Sequence, residues 1–314
     1  MKVVKGVHAI PAVPRRAVVA IGVFDGVHRG HRLLLKRARD AARRIGGTPV
    51  VMTFDPHPVH ALKPDLKLPL IVSLKHRLKL IADQGIPLAV VINFTRRFSR
   101  LKPEAFIRRY LVEPLRPAVV IVGDDFRFGQ DRTGTIEHFE RAASRYGFKI
   151  LTVKASSRGQ KTVSSTRIRE LIASGRLSAA GRLLDRPVAV LGRVIRGDRR
   201  GQELGYPTAN LSTGKVLLPP AGVYLVGVTC DGRRYSGIAN IGRRPTFKKS
   251  SAVCLEVHMF GFHRTIYGQD ILVEIIRKVR DERFYHSRDE LLTQIAADVR
   301  KARAWFQKYP YSAS

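Results

Sequence analysis

Two cysteines, Cys230 and Cys254, are all that the 314 residues contain. With no CxxC pair, neither a disulfide framework nor a cysteine-built zinc site is expected, and a reducing, cytoplasmic setting is. No stretch approaches the roughly 18 uninterrupted apolar residues of a membrane span, and "MKVVKGVHAIPAVPRR" lacks the apolar core of a signal peptide, so no membrane partner is expected. Acidic residues are scarce, 25 against 57 Lys plus Arg, which leaves a net charge of +32. Such a field attracts polyanions. The excess is diffuse, +22 on residues 1–186 and +10 on residues 187–314, with no basic tail and only "RRPTFKK" (Arg243 to Lys249) as a cluster. Nucleic acid is therefore not the expected main partner, since free nucleotides suit the same field.

What the sequence does have is 44% hydrophobic residues arranged in two rhythms. From Ala17, apolar runs ("AVVAIGVF", "PVVMTF", "LAVVINF", "AVVIVG", "KILTV") alternate with amphipathic segments at Gly30–Ile45, Ser73–Asp83, Pro103–Val112, Thr135–Tyr146 and Thr166–Ser174. Strands apolar on nearly every residue and separated by helices predict a parallel sheet covered on both faces, an α/β domain. After "LLDRP" (Leu183 to Pro187) the period changes to short strands with Gly, Pro and Asp between them, and Asp231-Gly232 marks a hairpin. A compact antiparallel barrel or sandwich is expected there, closed by a helix that Ser287 and Glu290 cap. Domains of residues 1–186 and 187–314 follow.

Ligands of open parallel sheets bind beyond the carboxyl ends of the strands, and four such ends carry unusual polar content here. In "AIGVFDGVHRGHRLLL" (Ala20 to Leu35), Gly22 and Gly26 permit tight turning, and Gly30 clears the helix start. His28 and His31 fall side by side in the first turn, donors suited to a phosphate that gains charge. "TFDPHP" (Thr53 to Pro58) holds His57 outward between two prolines, or is a rigid loop. "VGDDFRFG" (Val122 to Gly129) offers Asp124 with Phe126 and Phe128, suited to a heteroaromatic ligand unless the rings pack in the core. In "VSSTRIRELI" (Val163 to Ile172), Ser165 or Thr166 can cap a helix, while Arg167 and Arg169 oppose its dipole and call for an anion.

The string G-x-F-D-G-x-H-x-G-H resembles the HxGH signature of nucleotidylyltransferases, and the four strings together resemble the bacterial bifunctional riboflavin kinase/FMN adenylyltransferase (FAD synthetase) family over almost the whole chain. That resemblance implies a Rossmann-like nucleotidylyltransferase domain followed by a small antiparallel β-barrel riboflavin kinase domain ending in a helix. It implies phosphorylation of riboflavin to FMN, then transfer of AMP from ATP to FMN to give FAD and pyrophosphate. By the same resemblance His28 and His31 stabilise the α-phosphate. Gly22, Phe24, Asp25, Gly30, His57, Asp124, Phe126, Phe128, Ser164, Ser165, Thr166, Arg167 and Arg169 then line the nucleotide and flavin site. Val23 stands where many members have Asn.

In the second half, "GDRRGQELGYPTANL" (Gly197 to Leu211) combines a glycine-rich loop with hard oxygen donors in Thr208 and Asn210, suited to Mg²⁺ bound with ATP. It resembles the riboflavin kinase signature, which assigns Gly197, Gly205 and Pro207 to the nucleotide. Glu256 alternates with Leu255 and Val257 on a strand. By resemblance it is the general base, and Arg280, Glu282 and Tyr285 of "KVRDERFYHS" cover the flavin. Gln202, Gly261 and Thr265 depart from the family pattern, with a weaker phosphate contact expected at Gln202 and altered loop packing at the other two.

Overall fold

The apolar runs of the first half form one all-parallel sheet in the computed structural model of the chain, which describes residues 1–154, 163–197, 200–243 and 253–311. Its strands are β1 (Lys2–Lys5), β2 (Val18–Ile21), β3 (Pro49–Asp55), β4 (Leu88–Asn93), β5 (Val119–Gly123) and β6 (Lys149–Val153), in the order β1-β4-β3-β2-β5-β6. Around it lie α1 (Arg29–Ile45), α2 (Pro58–Leu62), α3 (Leu74–Ala82), α4 (Arg96–Ser99), α5 (Pro103–Phe106), α6 (Glu113–Leu115) and α7 (Ile136–Tyr146), with a π-helical turn at Ile107–Val112 joining α5 to α6. Alternation explains why the strands are apolar throughout. Val19, Ile21, Met52 and Val120 pack with Leu111 and Phe139 on one face, and Val18, Ala20, Val51 and Ile121 pack with Leu35, Ala38 and Ile81 on the other. β1 was not expected: lysines flank its two valines, a pattern that suits an edge strand.

The strand order reverses at β2, with β3 and β4 on one side and β5 and β6 on the other. The crevice beyond the carboxyl ends of β2 and β5 is therefore the place for a ligand. Two of the four motifs, Gly22–His31 and Asp124–Phe128, begin there.

The second half is built from α8 (Ser165–Ala173), α9 (Leu177–Leu184), β7 (Val188–Ile195), α10 (Arg200–Glu203), β8 (Ala209–Ser212), β9 (Gly222–Cys230), β10 (Arg233–Arg243), β11 (Val253–Met259), β12 (Asp270–Arg280) and α11 (Arg288–Lys308). Its six strands close antiparallel into a barrel, β10-β11-β8-β7-β12-β9, which decides between barrel and sandwich. The β9–β10 turn has both Asp231 (φ 48°) and Gly232 (φ 74°) left-handed, as a two-residue hairpin requires. α11 starts at Ser287, whose Oγ accepts the Glu290 N–H at 3.1 Å, while the Glu290 carboxylate takes the N–H of His286. Its apolar face meets the barrel through Val299, Ala302 and Phe306 against Val223, Leu225 and Ile238.

Compactness divides the chain between Ser165 and Thr166, with Pro69–Ser73 joining the second unit. The change of strand period near Leu184 falls later, because α9 packs on β7 and β12 of the barrel. Residues 166–186 thus belong with the barrel, where the sequence reading had placed them in the first domain. Arg244 to Lys249 of the basic cluster lie outside the described residues, as does the side chain of Gln202.

Candidate active sites

The turn leaving β2 is strained. Phe24 (φ 54°), Gly26 (φ 84°) and Val27 (φ 40°) all adopt left-handed backbone, which for a β-branched residue costs about 1–3 kcal/mol. The reversal makes His28 the N-cap of α1: its Nδ1 accepts the His31 N–H at 3.4 Å. With Nδ1 an acceptor, the neutral His28 ring carries its proton on Nε2. The His31 ring stacks on it, centroids 3.6 Å apart and planes at 19°, and meets the Phe24 edge at 5.2 Å. α1 runs for 17 residues with no acidic side chain in its first turn, so its own first turn adds no negative charge to the positive helix end.

This packing corrects several sequence-based expectations. Phe24 and Asp25 are buried, at 0% and 2% exposure, so Phe24 supports His31 and presents no face to a ligand. A side chain at Gly30 would press on the His28 ring at 3.3 Å, so Gly30 leaves room for that imidazole. Gly22 faces the Phe24 ring in the same way. Phe128 is core, 4.6 Å from the Phe139 centroid; Phe126 stacks beside it and remains partly buried, next to the exposed Asp124. His57 caps α2, its Nδ1 accepting the Val59 N–H at 3.2 Å. Ser165 opens α8, but its hydroxyl donates to the Asp25 carbonyl at 3.0 Å and so ties the fourth motif to the first. Ser164 is half-buried and Thr166 exposed. Arg167 pairs with Glu170 at 3.0 Å, and Arg169 Nε donates to the Pro69 carbonyl at 2.9 Å.

In the barrel, Asn240, Glu256 and Asn210 stand opposite one another on β10, β11 and β8 and form one row. Leu255 and Val257, pointing the other way, are fully buried, which turns Glu256 toward the row. A cavity of about 740 Å³ takes in Asn240, Glu256, Arg280, Glu282 and Tyr285, and a second of about 300 Å³ takes in Gly197, Pro207, Asn210 and Thr265. Thr208 lines both. The glycines of the loop explain themselves by close approach: a Cβ on Gly197 would lie 2.4 Å from the Asn210 amide, and one on Gly201 2.9 Å from Thr208 Oγ1. Gly205 turns the chain in left-handed backbone (φ 80°). His258 donates from Nδ1 to the Pro207 carbonyl at 2.8 Å, and burial holds its pKa below the ordinary value. Among the described residues the Tyr285 hydroxyl is buried without a hydrogen-bond partner, a donor that a ligand in the larger cavity could satisfy.

Residues 10–167 match the FAD synthetase family and residues 184–306 the riboflavin kinase family. Over 308 residues the chain is 38% identical to the bifunctional riboflavin kinase/FMN adenylyltransferase of Escherichia coli K12, covering 98% of each chain. The chain belongs to the bifunctional riboflavin kinase/FMN adenylyltransferase family. The member from Pseudomonas fluorescens is 36% identical, with 97% of each chain covered. A solved structure from Streptococcus pneumoniae, described as a macrolide-efflux protein, is 32% identical with a TM-score of 0.82, covering 97% of this chain and 99% of that one. No helix among the described residues of the present chain is long and apolar enough to cross a membrane.

Within this family member, two residues escaped the sequence reading. Asn240 sits beside Glu256 in the larger cavity, hidden in what reads as a plain strand, "RRYSGIANI". Asp298, 3% exposed, accepts from Arg280 Nε at 2.8 Å and from Gln294 Nε2 at 2.9 Å. Its signal was an acid set within the Leu291–Ile295–Val299 face of α11. Arg280 is thus held by the closing helix, with its guanidinium 5.8 Å from the Tyr285 centroid. Asp298→Asn should leave the half-buried Arg280 guanidinium without its counter-charge, a loss below the roughly 3–5 kcal/mol of a fully buried pair. The KM for riboflavin is expected to rise about tenfold as residues 280–286 loosen, a conversion well within that energy. Steady-state kinetics of riboflavin phosphorylation, with FMN adenylylation as the internal control, check it.

Proposed function

We propose that this chain makes FMN and FAD in succession: the barrel unit phosphorylates riboflavin with ATP, and the parallel-sheet unit transfers AMP from a second ATP to FMN, releasing pyrophosphate. The observation that carries the kinase half is Thr208, common to the two cavities. The larger cavity, within the size range of small-molecule sites and lined by Val223, Ile238 and Tyr285, suits the flavin, and the smaller one suits ATP. Glu256 takes the proton of the ribityl 5′-hydroxyl as its oxygen attacks the γ-phosphorus and ADP leaves. Arg280, Glu282 and Tyr285 border the isoalloxazine ring.

Among the described residues no group of three or more His, Cys, Asp or Glu could hold a metal. Thr208 and Asn210 supply neutral oxygens at one spot, which fits Mg²⁺ shared with nucleotide phosphates rather than an all-protein cage. Mg²⁺ arriving with ATP would offset phosphate charge there; Thr208 and Asn210 would orient it.

In the other unit, a phosphate oxygen of FMN attacks the α-phosphorus of ATP and the bond to the β-phosphate breaks. His28 and His31 donate to the oxygens that gain charge, aided by the helix end. Asp124, Phe126 and His57 border the substrates, and both reactions, fed by ATP, belong in the cytoplasm. The purified chain incubated with riboflavin, ATP and Mg²⁺ should yield FMN first and FAD after it, separated chromatographically. Recovery of unchanged riboflavin would overturn the reading.

A further inference from the structure

α3 reads as a surface helix with a basic face, "LKHRLKLIA", yet Arg77 on it is only 4% exposed. Its guanidinium donates from Nη1 to the Val23 carbonyl at 2.7 Å and from Nη2 to the Phe54 carbonyl at 2.8 Å. Val23 opens the strained turn that ends in His28, and its carbonyl also accepts from Thr53 Oγ1 at 3.1 Å. Phe54 precedes the Asp55-Pro56-His57 segment. One buried cation therefore joins the two strand-end loops that carry His28, His31 and His57. Burial lowers the Arg77 pKa, and the charges of Asp25 and Asp55 work against that loss. Asp25 in turn accepts through its carbonyl from Ser165. Two strand-end motifs of the first unit, those after β2 and β3, meet through the Arg77 side chain.

We propose that Arg77 is a positioning residue for adenylyl transfer: it clamps the Gly22–His28 turn to the end of β3 and so fixes where the His28–His31 pair stands. This rests on the assignment of those histidines to AMP transfer. Left-handed Phe24 and Val27 persist only if the surroundings over-determine them, and the carbonyl of Val23, just before them, is the point that both Arg77 and Thr53 grip. An error of about 1 Å in the placement of a transition-state donor costs roughly 10² in rate while leaving ground-state binding little changed. The effect should therefore fall on kcat.

The test compares Arg77→Met, Arg77→Lys, Ile81→Ala and His31→Ala in the full chain, with FMN and ATP as substrates and riboflavin phosphorylation measured on the same preparations. Ile81 is a fully buried residue of the same helix that does not touch the two carbonyls, so its truncation reports plain loss of packing. Arg77→Met is expected to lower kcat for FAD formation about 10²-fold, with KM for ATP and FMN within about threefold. Lysine, with its charge but no fork, should fall between, about tenfold below the parent. Ile81→Ala should lower Tm at least as far yet keep kcat within a few-fold. Parent-like kcat in Arg77→Met, an equal kcat loss in Ile81→Ala, or a loss carried by KM would each overturn the proposal. Should Arg77→Met not fold, the lysine variant decides alone: reduced kcat at near-parent Tm supports the clamp, and parent kcat refutes it. If His31→Ala keeps full FAD formation, the histidine assignment has failed, an outcome separate from any result at Arg77.

Discussion

FAD formation from FMN and ATP is expected to fall about 10²–10³-fold in His31→Ala, while riboflavin phosphorylation by the same protein continues at the parent rate. His31 owes this weight to its surroundings. Its ring lies flat on His28 at 3.6 Å and edge-on to buried Phe24, so its direction is set before any substrate arrives. His28 already spends Nδ1 on capping α1, which leaves its Nε2–H as its only donor. Two donors at a helix mouth with no first-turn carboxylate favour the species with the most negative charge, the five-coordinate phosphorus of the transition state. Removing a group that acts there lowers kcat and kcat/KM together. A rise in KM with kcat preserved would mean that His31 only helps to bind ATP. Circular dichroism and Tm of the variant separate that from unfolding, and His31→Asn keeps a donor where alanine leaves none.

Much of this was legible in the chain. Runs such as "PVVMTF" and "AVVIVG" read as doubly covered parallel strands because alternate residues feed two cores, and the short strands after "LLDRP" read as an antiparallel barrel or sandwich because the period shortens. The HxGH pair was legible for the same reason it is useful: short-range spacing on a helix start puts both rings together whatever the tertiary context. What the sequence hid were partners made by folding. Arg77 looks like one more cation of a basic chain, and only the return of β2 and β3 to its side, 54 and 23 residues away, makes it a buried tie. Asp298 is concealed in the same way by an α11 that must first dock on the barrel. Arg167 and Arg169 read as early helix cations that call for an anion, and the fold adds a surface pair with Glu170 and a backbone carbonyl at Pro69 that the sequence did not show. Phe24 and Phe128 follow from the ordinary tendency of large rings to fill cores when one is near.

The barrel gives the complementary result. Glu256→Gln should abolish most riboflavin phosphorylation, a loss of about 10²–10⁴ in kcat, and leave FAD formation intact when FMN is supplied. Glutamine keeps the shape and hydrogen-bonding oxygen of the glutamate, so the Asn240–Glu256–Asn210 row survives and buried Leu255 and Val257 still orient β11. What it cannot do is accept the proton that the 5′-hydroxyl must lose as it attacks phosphorus. KM for riboflavin should accordingly change by less than about threefold, since the proposed place for the ring is farther along the larger cavity, beside Tyr285. A glutamine variant that retained more than a tenth of the parent turnover would reduce Glu256 to a wall of the cavity and leave Thr208, shared by both cavities, as the group around which phosphoryl transfer is organised.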